Sequence, residues 1–378
     1  MRVLFISAPI GAGHIKAAQA VCEELRVLEP DGVFQVVNIF DFLPPSWGRF
    51  ILAFYLKILA LFPQAYGLMY GWGNQSSLAL WGRKLVSRYL ANRLEQYLTD
   101  WQPDMVVCSH ATPAGLVADL VKRRRIFAPT LAIVTDFVVH RLWIYPEIEQ
   151  YAVADEKLRD FLLKYEIPTQ RIMCSGIPVG AEFSEAVQKE DVLSELGLAK
   201  EKQTVLLMGG GAGLLPMEAI ILAGVEQLTN VQWIAIAGQN QRLQKKLIEI
   251  EALYPERVRA VGYTQQVHRF MAAADVLVSK PGGLTVAESL CRQMPLVIYR
   301  PIPGQEEANT TFLIEHGVAV RAETVQDVVG NLMKLLCEDS VPLENMLQRI
   351  KQLRRPEAAK QIALLIKERI KSKNNEKC

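Results

Sequence analysis

The sequence has no C-x-x-C pair: its six cysteines (Cys22, Cys108, Cys174, Cys291, Cys337 and Cys378) are scattered along 378 residues. That spacing suits neither a zinc site nor a disulfide scaffold. An excess of one charge sign is also missing. Lys and Arg total 42 against 40 Asp and Glu, a formal net charge of +2. A globally basic nucleic-acid binder is thereby disfavoured, because such binding depends on phosphate neutralisation, and no nucleic-acid partner is expected. No run approaches the roughly 20 apolar residues that span a bilayer. The best, residues 50–62, lies between Arg49 and Pro63 and is broken by Lys57. Nor does an apolar export segment follow a basic start, since Met1-Arg2 leads straight into Val3-Leu4-Phe5-Ile6. A reducing, cytosolic setting is expected. Low-complexity tracts are absent apart from a polar tail from Lys371.

What remains is a chain that is half apolar and 22% charged, with a mean hydropathy of +0.13. Such a chain buries enough apolar surface to fold, and its length suits two domains. Short apolar runs at 3–7, 33–39, 105–109 and 129–134 read as strands, with further ones at 151–154 and 172–175. Continuous runs of this kind mark strands buried on both faces of a parallel sheet. Helical patterns at 15–28 and 114–124 separate them. A second cycle follows Gly176-Ile177-Pro178, with strands at 204–208, 231–237, 258–261, 276–279 and 295–299. Helices at 325–337 and 357–371 close the chain. The alternation predicts an α/β protein of two Rossmann-like domains facing a cleft. The expected boundaries are 1–178 with an insertion at 42–95, then 179–355. A last helix at 356–378 should pack back on the N-terminal domain and end in a frayed tail.

Four segments after successive strands are candidates for ligand contact. Gly11-Ala12-Gly13-His14 joins a strand to a helix, where glycine amides and a helix N-terminus favour an anionic oxygen. Lys16 stands where the dinucleotide fingerprint needs Gly or Ala, so a nicotinamide reading is weak. The alternative is a tight turn with an incidental histidine. Gly209-Gly210-Gly211-Ala212-Gly213 leaves an apolar strand and is costly in conformational entropy. It suits close approach to a ligand through Gly210, Gly211 and Gly213, or a plain tight turn. It lacks the Gly-Lys-Ser/Thr ending of an ATPase loop. Ser279-Lys280-Pro281-Gly282-Gly283-Leu284-Thr285 enters a helix whose free amides suit a phosphate, with Glu288 placed for a ribose diol. Pro303-Gly304-Gln305-Glu306-Glu307-Ala308-Asn309 offers amides and carboxylates to sugar hydroxyls. Gln305, Glu306 and Asn309 carry the polar groups that sugar recognition requires.

A fifth feature is compositional. Residues 47–93 hold six cations (Arg49, Lys57, Arg83, Lys84, Arg88, Arg93), no Asp or Glu, and ten of the 30 aromatics. Cations interleaved with Trp47, Trp72 and Trp81 suit the interface of an anionic membrane. A helical insertion packed on the N-terminal domain is the alternative, and both hold if different faces are involved.

Taken together, Gly11-Ala12-Gly13-His14 with Ala17-Ala18, the phrase from Val134 through Asp136 and His140 to Trp143, Ser175-Gly176-Ile177-Pro178, Lys280-Pro281-Gly282-Gly283-Leu284-Thr285 and Pro303-Gly304-Gln305-Glu306 resemble one family. It is the monogalactosyldiacylglycerol synthase and processive diacylglycerol glucosyltransferase family, and the likeness runs in order along nearly the whole chain. The resemblance implies a GT-B fold and inverting transfer of glucose or galactose from a UDP-sugar to 1,2-diacylglycerol. The product is a β-glycosyldiacylglycerol made at the cytoplasmic face of the membrane by a peripheral enzyme. It places His14 at the catalytic centre as base, with Asp136 orienting it or acting as base itself. Gly13 joins the donor site, where Gly262-Tyr263 is expected to hold the uracil and Gln305 and Glu306, with Asn309 nearby, to read the hexose. His140 and Trp143 join Trp47, Trp72, Arg83, Lys84 and Arg88 on the acceptor or membrane side. No cofactor and no metal are expected, since helix N-termini stabilise diphosphate and no D-x-D motif is suitably placed. A UDP-GlcNAc-dependent transferase on another lipid-linked acceptor shares the fold, although the His140-to-Trp143 phrase fits the glycolipid branch better. A catalytically silent binder of nucleotide-sugar or lipid stays open, because fold does not fix function.

Overall fold

The computed structural model describes residues 1–9, 12–44, 77–211, 213–338 and 341–376. The chain divides into two compact units. One is Met1–Ala181 with Ile302–Gln305 and Arg355–Cys378; the other is Glu182–Pro301 with Glu306–Arg354.

The first unit is built on a six-stranded parallel sheet in the order β2-β1-β3-β4-β5-β6. Its strands are β1 (Arg2–Ser7), β2 (Val33–Asn38), β3 (Met105–Cys108), β4 (Thr130–Ile133), β5 (Gln150–Val153) and β6 (Ile172–Cys174). β3, β4 and β5 are buried at every residue, as expected for strands covered on both faces. β1 lies between β2 and β3, with Ile6 opposite Cys108 and Ser7 opposite Asn38. The strand order therefore reverses at β1, and the gap between the carboxyl ends of β1 and β3 is the topological switch point where such sheets bind ligands.

One face of this sheet is covered by the helix Ala12–Leu28, through Ala18, Val21, Cys22 and Leu25, and by Ala359, Ile362, Ala363 and Ile366 of the last helix, Ala358–Glu376. Lys367 of that helix pairs with Glu29 at 2.6 Å. The chain passes from the second unit into this helix against Gly176, whose φ of +92° favours glycine and where a Cβ would lie 2.4 Å from Arg355 Cβ. A helix Ser77–Trp101 overruns the end expected for the insertion at 95. Its last carbonyl is held by the Arg2 guanidinium, which also stacks 4.7 Å from the Trp101 ring.

The second unit repeats the plan with the order β12-β11-β10-β7-β8-β9, again parallel. The strands are β7 (Gln203–Met208), β8 (Val231–Ile236), β9 (Val258–Val261), β10 (Val276–Ser279), β11 (Leu296–Tyr299) and β12 (Ala319–Ala322). Sequence reading anticipated all but β12, a four-residue edge strand with an exposed Arg321. Trp233 on β8 is fully buried. A Cβ on Gly224 of the helix Met217–Gln227 would stand 2.2 Å from its ring, so glycine there lets helix and indole pack. Here the order reverses between β7 and β10, and the loops after those two strands flank the second switch point. The two doubly wound α/β units anticipated from the strand pattern are present.

Candidate active site

At the first switch point His14 is the third residue of the helix Ala12–Leu28, which follows β1, and Ser109-His110 follows β3. His14 Nδ1 lies 2.5 Å from Thr135 Oγ1, beyond the end of β4. The Thr135 hydroxyl donates to the Ser109 carbonyl at 3.4 Å. A carbonyl only accepts and a hydroxyl has one proton to give; when that proton goes to Ser109, His14 donates from Nδ1 and keeps a lone pair on Nε2. Burial pushes the His14 pKa down to about 4, against a partial rise from the Ser109 carbonyl and with a further lowering from His140. The ring is therefore neutral at pH 7, the state a general base requires.

Asp136 is buried at 7% exposure, and its Oδ2 accepts from Gln305 Nε2 at 3.0 Å. Gln305 ends the short stretch 302–305 counted with this unit. Gly13 precedes His14 in the same first turn. His140 is half-buried at the start of a short 3-10 helix, Arg141–Trp143, and burial lowers its pKa. Its ring centroid stands 6.3 Å from that of Trp143. Trp143, expected on the acceptor or membrane side, is 1% exposed. Its indole fills the interior, so it offers no surface to a membrane.

Sequence reasoning passed over two residues at this edge. Thr135 lies inside the phrase from Val134 to Trp143. His110 follows β3 as the N-cap of the helix Ala111–Lys122, its Nδ1 accepting the Thr112 N–H at 3.1 Å. Its ring stands edge-on to His14, with centroids 4.7 Å apart and an interplanar angle of 89°. Burial, then the neighbouring His14 and His140, push its pKa down to about 3. The available signal was positional: a histidine directly after a buried strand and before a helix.

In the second unit the glycine loop has two parts with different reasons. Gly209 and Gly213 serve the protein itself. A Cβ on Gly209 would meet the Leu214 nitrogen at 2.6 Å, and one on Gly213, at φ +64°, the Ala237 carbonyl at 2.8 Å. Gly210 and Gly211 are exposed, and nothing lies within 4 Å of a Cβ on either, although Gly210 shares a positive φ, +69°, with Gly213. After β10, Gly282 opens the helix Gly283–Cys291 with no side-chain cap, and a Cβ there would also meet nothing within 4 Å. The first-turn amides of that helix are thus left without a capping side chain, a ready anion site. Lys280 is half-buried with Nζ donating to the Arg300 carbonyl, and burial lowers its pKa. Thr285 is half-buried in the first turn, and Glu288 is 5% exposed further along the helix.

Asn309 is 1% exposed and spends Nδ2 on the Pro281 carbonyl at 3.0 Å, tying the helix that follows β11 to the loop that follows β10. Glu306 is half-buried on the first turn of its helix. Gly262 follows β9, and Tyr263 beside it is 63% exposed. Trp47 and Trp72 lie outside the described residues. Arg83, Lys84 and Arg88 fall on the helix Ser77–Trp101, their side chains outside the description. Among the described residues no helix is long and apolar enough to cross a membrane.

Comparison with known proteins follows the same two-part division. Residues 14–179 match the family model of monogalactosyldiacylglycerol (MGDG) synthase, and residues 219–354 that of glycosyl transferases group 1. A processive diacylglycerol beta-glucosyltransferase of Bacillus licheniformis is 27% identical over 354 residues, covering 93% of this chain and 90% of the relative. One of Bacillus cereus is 27% identical over 361 residues, covering 95% and 91%. Among solved structures, Acinetobacter baumannii MurG superposes with a TM-score of 0.64 at 16% identity, covering 97% of this chain and 99% of that one. S. aureus MnaA in complex with UDP gives 0.63 at 13% identity, covering 96% and 95%. The resemblance read from the motifs is borne out, and the fold is that of GT-B proteins.

Proposed function

From a relationship to diacylglycerol glucosyltransferases that runs along most of the chain, we propose that this protein transfers a hexose from a UDP-sugar to 1,2-diacylglycerol. Glucose is the favoured sugar, because the relatives carry that activity in their names; UDP-galactose is the competing donor. Transfer from an α-linked UDP-sugar to a β-linked product proceeds with inversion. The observation that carries the reading is His14: a neutral imidazole at a switch point, with Nδ1–H held by Thr135 and Nε2 left as acceptor.

In this reading His14 Nε2 takes the proton of the acceptor hydroxyl as its oxygen attacks the anomeric carbon. The bond from that carbon to the diphosphate breaks, and its electron pair leaves with UDP. The uncapped amides at the start of the helix Gly283–Cys291 face the charge that develops on the diphosphate, so no metal is invoked. Gly210 and Gly211 give the donor close access to backbone. Glu288 binds the ribose, Gly262-Tyr263 the uracil, and Gln305 and Glu306 the hexose. Asp136 holds Gln305 in place. The protein works as a peripheral enzyme on the cytoplasmic face of an anionic membrane, docking through residues 42–95.

The test is UDP release by the purified chain given UDP-glucose, with UDP-galactose in parallel, and diacylglycerol in anionic vesicles, with product lipids identified by mass spectrometry. A glucosyldiacylglycerol is expected. Tight UDP binding with no diacylglycerol-dependent UDP release would identify a silent binder and overturn the proposal.

A further inference from the structure

His14 and His110 sit at the same switch point in edge-on contact, yet their hydrogen bonds assign them opposite tautomers. On His110 the proton position follows from a backbone partner. The Thr112 N–H can only donate, so Nδ1 of His110 is the acceptor at 3.1 Å and the ring proton of the neutral imidazole resides on Nε2. The cap therefore fixes a donor. The His110 ring is half-buried, and its side-chain hydrogen bond is the cap at Nδ1. His14 has the reverse pattern, with its proton on the Thr135 side and a bare Nε2. The result is one acceptor and one donor on rings with centroids 4.7 Å apart.

A neutral imidazole held at a helix N-terminus is a persistent hydrogen-bond donor, because the positive end of the helix dipole disfavours the imidazolium. A ligand that matches such a pair presents a hydroxyl proton to one ring and a lone pair on a neighbouring oxygen to the other. Diacylglycerol has that arrangement, a free hydroxyl one carbon from an ester oxygen. A sugar hydroxyl flanked by a second hydroxyl has it too.

We propose that His110 is an acceptor-binding residue whose Nε2–H donates to the oxygen on the carbon adjacent to the reacting hydroxyl, turning that hydroxyl's proton toward His14. This rests on the reading of His14 as base. His110 loses no proton in the reaction; it orients the acceptor, and its contribution belongs to acceptor recognition rather than to donor binding.

Two substitutions separate this role from capping. His110→Ser keeps a good N-cap acceptor and removes the donor; His110→Gln keeps a donor at similar reach and weakens the cap. The expected result is that His110→Ser melts like the unaltered protein, binds UDP equally, and shows a KM for diacylglycerol raised about three- to tenfold, the loss of one hydrogen bond. His110→Gln should melt lower while keeping a KM closer to normal. The opposite pattern, a normal KM in His110→Ser and a raised one in His110→Gln, would make His110 a cap alone and overturn the proposal. Equal losses in UDP affinity and acceptor KM would also overturn it. If the unaltered protein transfers no sugar, the activity itself fails and this inference with it. Transfer by the unaltered protein with an unaffected His110→Ser removes only the inference.

Discussion

Replacing Thr135 by Val is the sharpest probe of the base. Valine matches threonine in shape and removes only the hydroxyl that links His14 Nδ1 to the Ser109 carbonyl. Two consequences follow. The buried Nδ1–H loses its acceptor, and the Nδ1–H tautomer loses the hydrogen bond that favours it over the Nε2–H form. A net hydrogen bond of about 1–1.5 kcal/mol corresponds to a factor of about 5–13 in the tautomer ratio, which is the upper bound on the fall in the fraction of rings with a bare Nε2. Turnover with saturating diacylglycerol should drop by about two- to tenfold, while UDP affinity measured by calorimetry stays unchanged because Thr135 belongs to the other unit. Thr135→Ser retains the hydroxyl and should recover most of the rate. The orphaned donor also lowers stability by about 1–3 kcal/mol, so activity is compared well below each variant's Tm. A Thr135→Val protein with normal turnover, or a Thr135→Ser protein as slow as it, would refute the tautomer assignment.

Other outcomes are expected as well. Gly282→Ala should change stability by no more than a harmless surface change, about 0.5 kcal/mol, because nothing in the protein lies within 4 Å of the new Cβ; UDP affinity should nevertheless fall at least tenfold, and unchanged calorimetry would move the diphosphate elsewhere. Gly213→Ala should do the reverse in stability, costing about 1–3 kcal/mol through its positive φ and the Ala237 carbonyl, as read by denaturant midpoint. The pKa values of His14 and His110 are lowered to about 4 and about 3, below an unfolded value near 6.5. Between those limits the unfolded chain binds protons that the folded chain does not, so stability is full above about pH 6.5 and declines as pH falls toward 4. Denaturation midpoints at pH 7.5 and 5 check this, and His110→Ser should flatten the decline. Reversing Arg83, Lys84 and Arg88 to Glu should weaken co-sedimentation with anionic vesicles at low salt, where exposed charge is least screened; equal binding would end the docking assignment.

The sheets were legible because parallel strands covered on both faces leave short, unbroken apolar runs, as in Met105–Cys108 and Thr130–Ile133. β12 was not, since Ala319–Ala322 is an edge strand whose Arg321 faces outward and breaks the apolar run. Glycine clusters pointed to the right loops but not to the division within them, because Gly213 answers to Ala237, 24 residues on, rather than to a ligand. The partners of His14 escaped notice for a similar reason. Thr135 is 121 residues away in sequence, and only the placement of β1, β3 and β4 side by side brings it to the ring. The family resemblance puts Trp143 on the acceptor or membrane side, and the burial of its indole is not legible in the phrase around it.

The first core contains Ile362, Ala363 and Ile366, which the ribosome adds long after Val3 and Phe5. Until that helix emerges, the face of the first sheet that it covers stays open to water and to other chains. Residues 182–354 intervene almost entirely as the second unit. At about 5–20 residues per second of synthesis, the exposed interval lasts roughly ten seconds to half a minute. The second unit closes on itself meanwhile, since its strands and helices arrive in one continuous stretch apart from 302–305. Translation therefore reverses the order of appearance: the half made first is completed last. Truncation within the last helix is then a lesion of the half that was made first, and a chaperone that shields nascent apolar surface has its binding window on this chain while the second half is being made.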